Sequence, residues 1–291
     1  MKLVTDISKV RKLSLSAKAE GKTIGFVPTM GYLHEGHVSL IRGARAETDL
    51  VVLSIFVNPT QFAPGEDFER YPRDLVRDKR LAKRAGADII FHPSPADMYP
   101  EGFSTYVEET ALSKHLCGLS RPTHFRGVTT VVLKLFNIVQ PDVAYFGQKD
   151  AQQALIIKRM VRDLNVPTRI KVLPTVREAD GLALSSRNKY LSPEQRKEAA
   201  VLYRALMEAR KLVRMGETDA SRIKKTIRRM IESSRGVRID YVSVVNRDSL
   251  EDINELQGNV LIALSVFIGK TRLIDNIELN VSSPKNEKMT R

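Results

Sequence analysis

A short motif rich in histidine and glycine is the first candidate for chemistry. His34, Gly36 and His37 form a His-x-Gly-His sequence soon after the apolar run Ile24–Val27. The run predicts a strand, and the glycine turn that follows predicts a helix whose first backbone N–H groups are open to an anion. Two imidazoles beside those groups indicate a nucleotide phosphate. A zinc site is disfavoured, because the spacing differs from His-Glu-x-x-His and no further Cys or His ligands cluster nearby.

Two other polar segments follow apolar runs in the same way. Gln61 lies just after the run Leu50–Val57, where an amide can orient a hydroxyl or carboxylate of a small substrate, although Asn-Pro at 58–59 also suits a simple turn. Lys149 follows a second run and is placed to reach a phosphate as a point charge. Asp150 either accepts from a ribose hydroxyl or only caps a helix, and Gln153 lies one helical turn further on, on the same side.

A fourth segment, residues 176–188, combines hydroxyls with a fixed cation. Ser185, Ser186 and Arg187 stand among small residues in this stretch. Such a composition is typical of a mobile loop that closes over phosphates. This interpretation is strengthened because the segment is the fourth polar element of this kind in the chain.

The elements that must position these residues alternate between strand and helix over the first 175 or so residues. This alternation predicts an α/β fold with a Rossmann-like parallel sheet, which binds ligands beyond the carboxyl ends of its strands. The pattern changes after Leu191, where one long helix to about Met215, a second helix and three strands predict a smaller α+β domain. We therefore expect domains at 1–185 and 186–281, and a disordered polar tail at 282–291.

Composition and charge narrow the class of protein. The chain has 291 residues, a net charge of +13 and one cysteine, Cys117, which excludes a disulfide framework within it. Neither a signal peptide nor a run of about 20 apolar residues is visible, so we expect a cytoplasmic protein that does not enter membranes. The basic run that contains Lys224, Lys225, Arg228 and Arg229 has the spacing of a solvated helix face. Nucleic-acid binding is disfavoured, because no aromatic platform accompanies these residues.

These motifs together resemble those of the pantoate–β-alanine ligases. The resemblance is carried by six strings: Pro-Thr-Met-Gly-Tyr-Leu-His-Glu-Gly-His at 28–37, Phe-Val-Asn-Pro-Thr-Gln-Phe at 56–62, Tyr-Pro-Arg-Asp at 71–74, Arg-Pro-Thr-His-Phe-Arg-Gly-Val at 121–128, Phe-Gly-Gln-Lys-Asp at 146–150, and Arg-Glu-Ala-Asp-Gly-Leu-Ala-Leu-Ser-Ser-Arg-Asn at 177–188. His-x-Gly-His alone would indicate only the wider nucleotidyltransferase superfamily.

The resemblance implies a reaction in two steps. Pantoate attacks the α-phosphorus of ATP, which is accompanied by Mg²⁺, and β-alanine then attacks the pantoyl adenylate. The implied catalytic residues are His37, His34, Lys149 and Arg187, whose charges would neutralise the phosphates. Gln61 and Gln153 would hold pantoate and β-alanine, and the chain would form a homodimer through its N-terminal domain, with a C-terminal lid domain. The implied ATP-binding residues are Met30, Gly31, Tyr32, Leu33, His34, Glu35, Gly36, His37, Gly147, Gln148, Lys149, Asp150, Val176, Leu184, Ser185, Ser186 and Arg187.

Some alternatives stay open at the level of sequence. A nucleotidyltransferase that leaves the nucleotide on its product would carry the same His-x-Gly-His motif. Asp74 and Asp78 are candidates for the metal side of the site, or else they pair with Arg77 or Arg80, and the metal ligands therefore remain unassigned. Arg121 and Arg126 either steer carboxylates or are ordinary surface charges. The apolar run Val128–Val139 suits either a dimer interface or the core.

Overall fold

The structure is a computed structural model that describes residues Met1–Ser282. These residues divide into two compact units. The first consists of Met1–Glu178 and Ala183–Lys189, and the second of Ala179–Leu182 and the chain from Tyr190 onward. The expected domain boundary at 185 and the lid role of the C-terminal domain remain predictions. The expected disordered tail lies, apart from Ser282, outside the described residues.

The first unit is built on a six-stranded parallel sheet in the order β1-β4-β3-β2-β5-β6, which confirms the Rossmann-like α/β class. Its strands are β1 (Lys2–Val4), β2 (Ile24–Thr29), β3 (Leu50–Ile55), β4 (Ile89–Phe91), β5 (Val143–Gly147) and β6 (Arg169–Leu173). Its helices are α1 (Ile7–Ala19), α2 (Glu35–Glu47), α3 (Leu75–Ala85), α4 (Pro95–Met98), α5 (Cys117–Ser120), α6 (His124–Val139) and α7 (Ala151–Asp163). The sequence patterns did not predict β1 and α1, in which more than half of the residues are exposed.

Hydrophobic side chains cover both faces of this sheet. Along β2, Phe26 belongs to a core cluster shared with α1, α6 and α7, whereas Val27 belongs to the cluster on the opposite face, shared with α2 and α3. Successive residues of a strand point to opposite faces, so a strand covered on both faces reads as a continuous apolar run. The buried side chains of α6 lie in the first cluster. The run Val128–Val139 is therefore core.

The second unit packs helices on an antiparallel sheet. Its helices are α8 (Pro193–Ala199), α9 (Val201–Arg214) and α10 (Ala220–Glu232), and its strands are β7 (Val237–Asn246), β8 (Gly258–Ile268) and β9 (Thr271–Val281), in the order β7-β8-β9. The expectation of one long helix to Met215 was wrong. The amide of Ala200 bonds to the carbonyl of Lys197, three residues back, and this tighter turn separates α8 from α9.

The basic helix α10 behaves as its spacing predicts. Ile223, Ile227 and Ile231 are fully buried against the sheet, while Arg228 and Arg229 are exposed. Among residues 1–282, no helix is both long and apolar enough to cross a membrane.

Candidate active site

Three of the sequence motifs meet at one edge of the parallel sheet. β2 lies between β3 and β5, and the carboxyl ends of all three strands point to the same edge. The chain builds β3 and β4 on one side of β2 and then crosses to β5 on its other side. Such a topological switch point opens a crevice that binds ligands. The segments that leave these strands are residues 30–37, 56–62 and 148–153.

The turn after β2 has a strained backbone. Gly31 has φ +85° and Tyr32 has φ +49°, a conformation that is costly for a residue with a side chain. A Cβ atom on Gly31 would lie 2.8 Å from Cγ2 of Ile55, so the turn also has no room for a larger residue. Asp78, on α3, accepts hydrogen bonds from the amides of Tyr32 and Leu33, both at 2.7 Å.

The side chains of His34 and His37 both cap the N-terminus of α2 by accepting hydrogen bonds from backbone N–H groups. Nδ1 of His34 accepts from the amide of Gly36 at 3.1 Å, and Nδ1 of His37 accepts from the amide of His34 at 3.3 Å. A neutral imidazole that accepts at Nδ1 carries its proton on Nε2. Both rings, whose centroids are 4.0 Å apart, can therefore donate an Nε2–H bond to a ligand. Gly36 allows this packing, because a Cβ there would lie 2.8 Å from the ring of His34.

These contacts correct one expectation from the sequence. The N–H groups of the glycine turn were expected to be open to an anion, but Gly31, Tyr32, Leu33, His34 and Gly36 all donate to protein acceptors. The side chains that follow the turn, rather than these amides, are left to meet a phosphate.

Burial keeps both imidazoles uncharged. It lowers the pKa of His34 to about 2, with the positive potential of His37 and Lys149 adding to the effect. Burial also lowers the pKa of His37 to about 4, although the carboxylate of Asp150 opposes this shift. Both side chains are neutral near pH 7 before ligand binds. The sequence interpretation assigned them charge neutralisation, whereas the structure favours hydrogen-bond donation.

Lys149 supplies a cation beside these rings. It lies in the short 3₁₀ turn Gln148–Asp150 after Gly147, its side chain is 19% exposed, and its Nζ is 3.8 Å from Oδ1 of Asp150. Its charge and that of Asp150 both act on the pKa of His37, which places the two residues near that ring. Gln153 lies in the first turn of α7, three residues after Asp150, and is half-buried.

Gln61 is held against the turn after β2. Its Nε2 donates to Sδ of Met30 at 3.1 Å, and its Oε1 accepts from the buried Asn58 at 3.1 Å. The sequence strings at 28–37 and 56–62 are thus in direct contact. This fixes the orientation of the Gln61 amide.

The backbone of Gln61 is fixed from the side of α6. Its carbonyl accepts from Nη2 of Arg121 at 3.1 Å and from Nδ1 of His124 at 2.9 Å. Burial lowers the pKa of His124 to about 3, so this ring is a neutral donor. Gly127 permits the close approach, since a Cβ there would lie 2.3 Å from the carbonyl oxygen of Thr60. Sequence reasoning left Arg121 unassigned; its signal was the Arg-Pro-Thr-His string.

The segment 176–188 is folded back on itself. The amide of Leu184 donates to the carbonyl of Val176 at 3.0 Å, and Oγ of Ser185 accepts from the amide of Arg187 at 3.2 Å. Ser186 donates to the carbonyl of Tyr32 at 3.2 Å, which joins this segment to the histidine motif.

Arg187 forms a two-point ion pair with a carboxylate. Its Nε and Nη2 each lie 2.9 Å from an oxygen of Asp67, and its guanidinium stacks 5.6 Å from the ring centre of Tyr71. Sequence reasoning missed Asp67, which is 120 positions away and carries no local signal.

The two aspartates considered for a metal have other roles. Both oxygens of Asp78 accept backbone N–H groups, and Asp74 caps α3 by accepting from the amide of Arg77. Within the described part of the chain, no group of three or more His, Cys, Asp or Glu side chains could hold a metal ion.

A parallel sheet whose central strand leads into a His-x-Gly-His helix cap, with a lysine from the next strand beside it, defines an α/β nucleotide-binding protein. Comparison with known proteins makes this specific. The family model "Pantoate-beta-alanine ligase" matches residues 2–278. The chain belongs to the pantoate–β-alanine ligase family.

Named relatives agree over nearly the full length. The chain is 58% identical to the pantothenate synthetase of Moorella thermoacetica over 282 residues, which is 97% of this chain and all of that protein. The crystal structure of pantothenate synthetase from Thermus thermophilus matches with a TM-score of 0.91 and 45% identity, over 97% of this chain and all of the other. Pantoate–β-alanine ligase from Francisella tularensis, complexed with β,γ-ATP and β-alanine, matches with a TM-score of 0.78 and 36% identity, over 95% and 97%.

Proposed function

We propose that this protein condenses pantoate with β-alanine at the expense of ATP, giving pantothenate, AMP and pyrophosphate through a pantoyl adenylate. The observation that carries the proposal is the meeting of the capped His34–His37 pair, Lys149 and Gln61 at the ends of three adjacent strands. Family membership adds the substrates, since a relative has been crystallised with an ATP compound and β-alanine.

Different residues have different proposed roles in the first step. The pantoate carboxylate attacks the α-phosphorus, and pyrophosphate leaves. This displacement needs positioning and charge stabilisation rather than a protein nucleophile. His34 and His37 donate Nε2–H bonds to the phosphates, and Lys149 offsets their charge. Gln61 and Gln153 hold pantoate in line.

The remaining ATP contacts surround this centre. They come from Met30–Gly36, Gly147–Asp150, Val176 and Leu184–Arg187. In the second step the β-alanine amine attacks the acyl carbon and AMP leaves. Water must be excluded until then, because a free acyl adenylate hydrolyses readily. The segment 176–188 is placed to do this, because Ser186 already contacts the turn after β2.

Mg²⁺ would enter with ATP. The described residues offer no three-ligand cage for it, and Mg²⁺ commonly keeps several waters and binds substrate phosphates with one or two carboxylates. Asp150, whose Oδ1 lies 3.8 Å from Nζ of Lys149, would be a candidate for such a carboxylate. No step of the mechanism is assigned to the ion.

Isotope exchange tests the reaction. We expect labelled pyrophosphate to enter ATP only when pantoate is present, without β-alanine. Exchange without pantoate, or a product that retains the nucleotide instead of releasing AMP, would refute the assignment and favour a different nucleotidyltransferase.

Two substitutions separate the capping and donor roles of His37. His37→Gln keeps a donor near the Nε2 position, whereas His37→Asn keeps an acceptor near the Nδ1 position that caps the helix. We expect the Asn variant to keep its unfolding temperature but to lose exchange rate by about 10²- to 10³-fold, as for loss of one preorganised donor. The Gln variant should retain more activity and be less stable. The reverse ranking would contradict the tautomer assigned to His37.

We also propose the homodimer and the cytoplasmic location that the sequence predicts. The family resemblance supports the first. Light scattering coupled to gel filtration would test it, and a monomer at micromolar concentration would rule it out. Fractionation of cells would test the second.

A further inference from the structure

Side chains in the first turn of α3 bind both N–H groups and a carbonyl group of the turn after β2. Asp78 accepts from the amides of Tyr32 and Leu33, and the neighbouring Arg77 donates from Nη1 to the carbonyl of Leu33 at 2.8 Å. The guanidinium of Arg77 also stacks 5.1 Å from the ring centre of Tyr32. Two adjacent side chains thus fix three polar groups of one short turn.

We propose that Asp78 and Arg77 are positioning residues for ATP, acting by holding the strained turn at Gly31–Leu33. The proposal rests on the function given above. Tyr32 has a positive φ that an unsupported chain would leave, and the turn is immediately followed by His34. If the turn relaxed, the helix cap and both Nε2–H groups would move with it.

The burial of Asp78 supports this role over that of a metal ligand. Its side chain is 1% exposed, and both oxygens already accept backbone N–H groups. Oδ2 lies 3.1 Å from the position that a Cβ on Gly31 would occupy, so the carboxylate packs directly against the turn. Burial raises the pKa of Asp78, while the two N–H groups favour its charged form.

The sign of one effect distinguishes positioning from simple electrostatics. ATP is an anion, so removing a carboxylate near its site should strengthen ATP binding if charge alone mattered. Positioning predicts the opposite. Asp78→Asn replaces one acceptor by an NH₂ group that faces a backbone N–H, and the turn should lose its shape.

The test compares Asp78→Asn with Asp74→Asn in the full-length protein. Asp74 also accepts a backbone N–H on α3, but its partner is Arg77 of the same helix rather than the turn. We expect the KM for ATP in pantoate-dependent pyrophosphate exchange to rise about 10- to 100-fold for Asp78→Asn, the scale of a misplaced site. The KM for pantoate should change much less, the dependence on Mg²⁺ concentration should be unaltered, and Asp74→Asn should match the wild type.

A second pair keeps the proposal testable if Asp78→Asn does not fold. Arg77 is 36% exposed, so Arg77→Met should fold, and Arg80→Met removes the same charge from an exposed position on the same helix. We expect a raised KM for ATP only in Arg77→Met. An ATP KM equal to that of the wild type in a folded Asp78→Asn, or equal values in Arg77→Met and Arg80→Met, would overturn the proposal. A wild type without exchange would instead refute the proposed function.

Discussion

Gly127 offers a sharp test of how the proposed pantoate side of the site is built. It lies in the first turn of α6, where the helix meets residues 60–61. A Cβ on Gly127 would lie 2.3 Å from the carbonyl oxygen of Thr60 and 2.7 Å from the amide nitrogen of Gln61, both backbone atoms. Ordinary contacts of this kind begin at 3.4 Å. The segment that carries Gln61 must therefore move by about 1 Å in Gly127→Ala.

The two consequences of this shift can be measured separately. Overpacking should cost about 1–3 kcal/mol in the free energy of unfolding, partly offset by about 1 kcal/mol from the better helix propensity of alanine. A displacement of this size should lower kcat/KM for pantoate by about 10- to 100-fold, because Gln61 would no longer be aligned. The KM for ATP should change less. Pyrophosphate exchange at saturating ATP and varied pantoate measures the kinetic effect, and urea unfolding measures the cost in stability.

Gly43→Ala is the matched control. Gly43 is also a helical glycine, but the one close contact of a Cβ there would be Cδ1 of the flexible Leu173 side chain at 2.6 Å, with Tyr145 at an ordinary 3.9 Å. It should leave pantoate kinetics unchanged. A folded Gly127→Ala protein with the kcat/KM of the wild type for pantoate would show that the Gln61 segment is not fixed by α6, and would refute the reasoning.

Two other predictions follow from the charges at the site. The pKa values of His34, His37 and His124 lie at about 2, 4 and 3 in the folded chain, against about 6.5 when unfolded. Below pH 6.5 the unfolded chain therefore binds more protons than the folded chain. The free energy of unfolding should fall as the pH is lowered from 6.5 to 4, and it should fall less steeply in His124→Asn. Equal slopes in this variant and the wild type would contradict this. Asp67→Asn should lower the KM for ATP by ~5-fold or more, because a two-point pair between side chains only 26% and 16% exposed exceeds the ~1 kcal/mol of exposed pairs and would no longer compete for Arg187. An unchanged KM in exchange assays would contradict competition.

Local sequence patterns predicted the parts of the site that depend on local structure. Strands covered on both faces appear as apolar runs, so the ends of β2, β3 and β5 and the motifs beyond them could be placed. The roles of Asp78 and Asp67 could not, because each depends on a partner 45 or more positions away. Asp78 stands in a strongly charged helix that has the pattern of a solvated face. The close backbone approach at Gly127 was not predicted either, because a glycine in a helical pattern does not identify the segment that packs against it.

The hydrogen bonds that His34 and His37 accept also change the interpretation of the histidine motif. In sequence, His34 and His37 suggest positive charge beside a phosphate. In the structure, each Nδ1 lone pair is used to cap the helix, which leaves Nε2–H as the group that can face a ligand. Burial then removes the positive charge that a phosphate would otherwise meet. In the proposed mechanism, compensation of the charge of ATP therefore falls to Lys149, and to Arg187 to the extent that phosphate displaces Asp67. In this proposal the two Nε2–H groups donate directed hydrogen bonds to the developing negative charge, and Lys149 supplies the positive charge that offsets it.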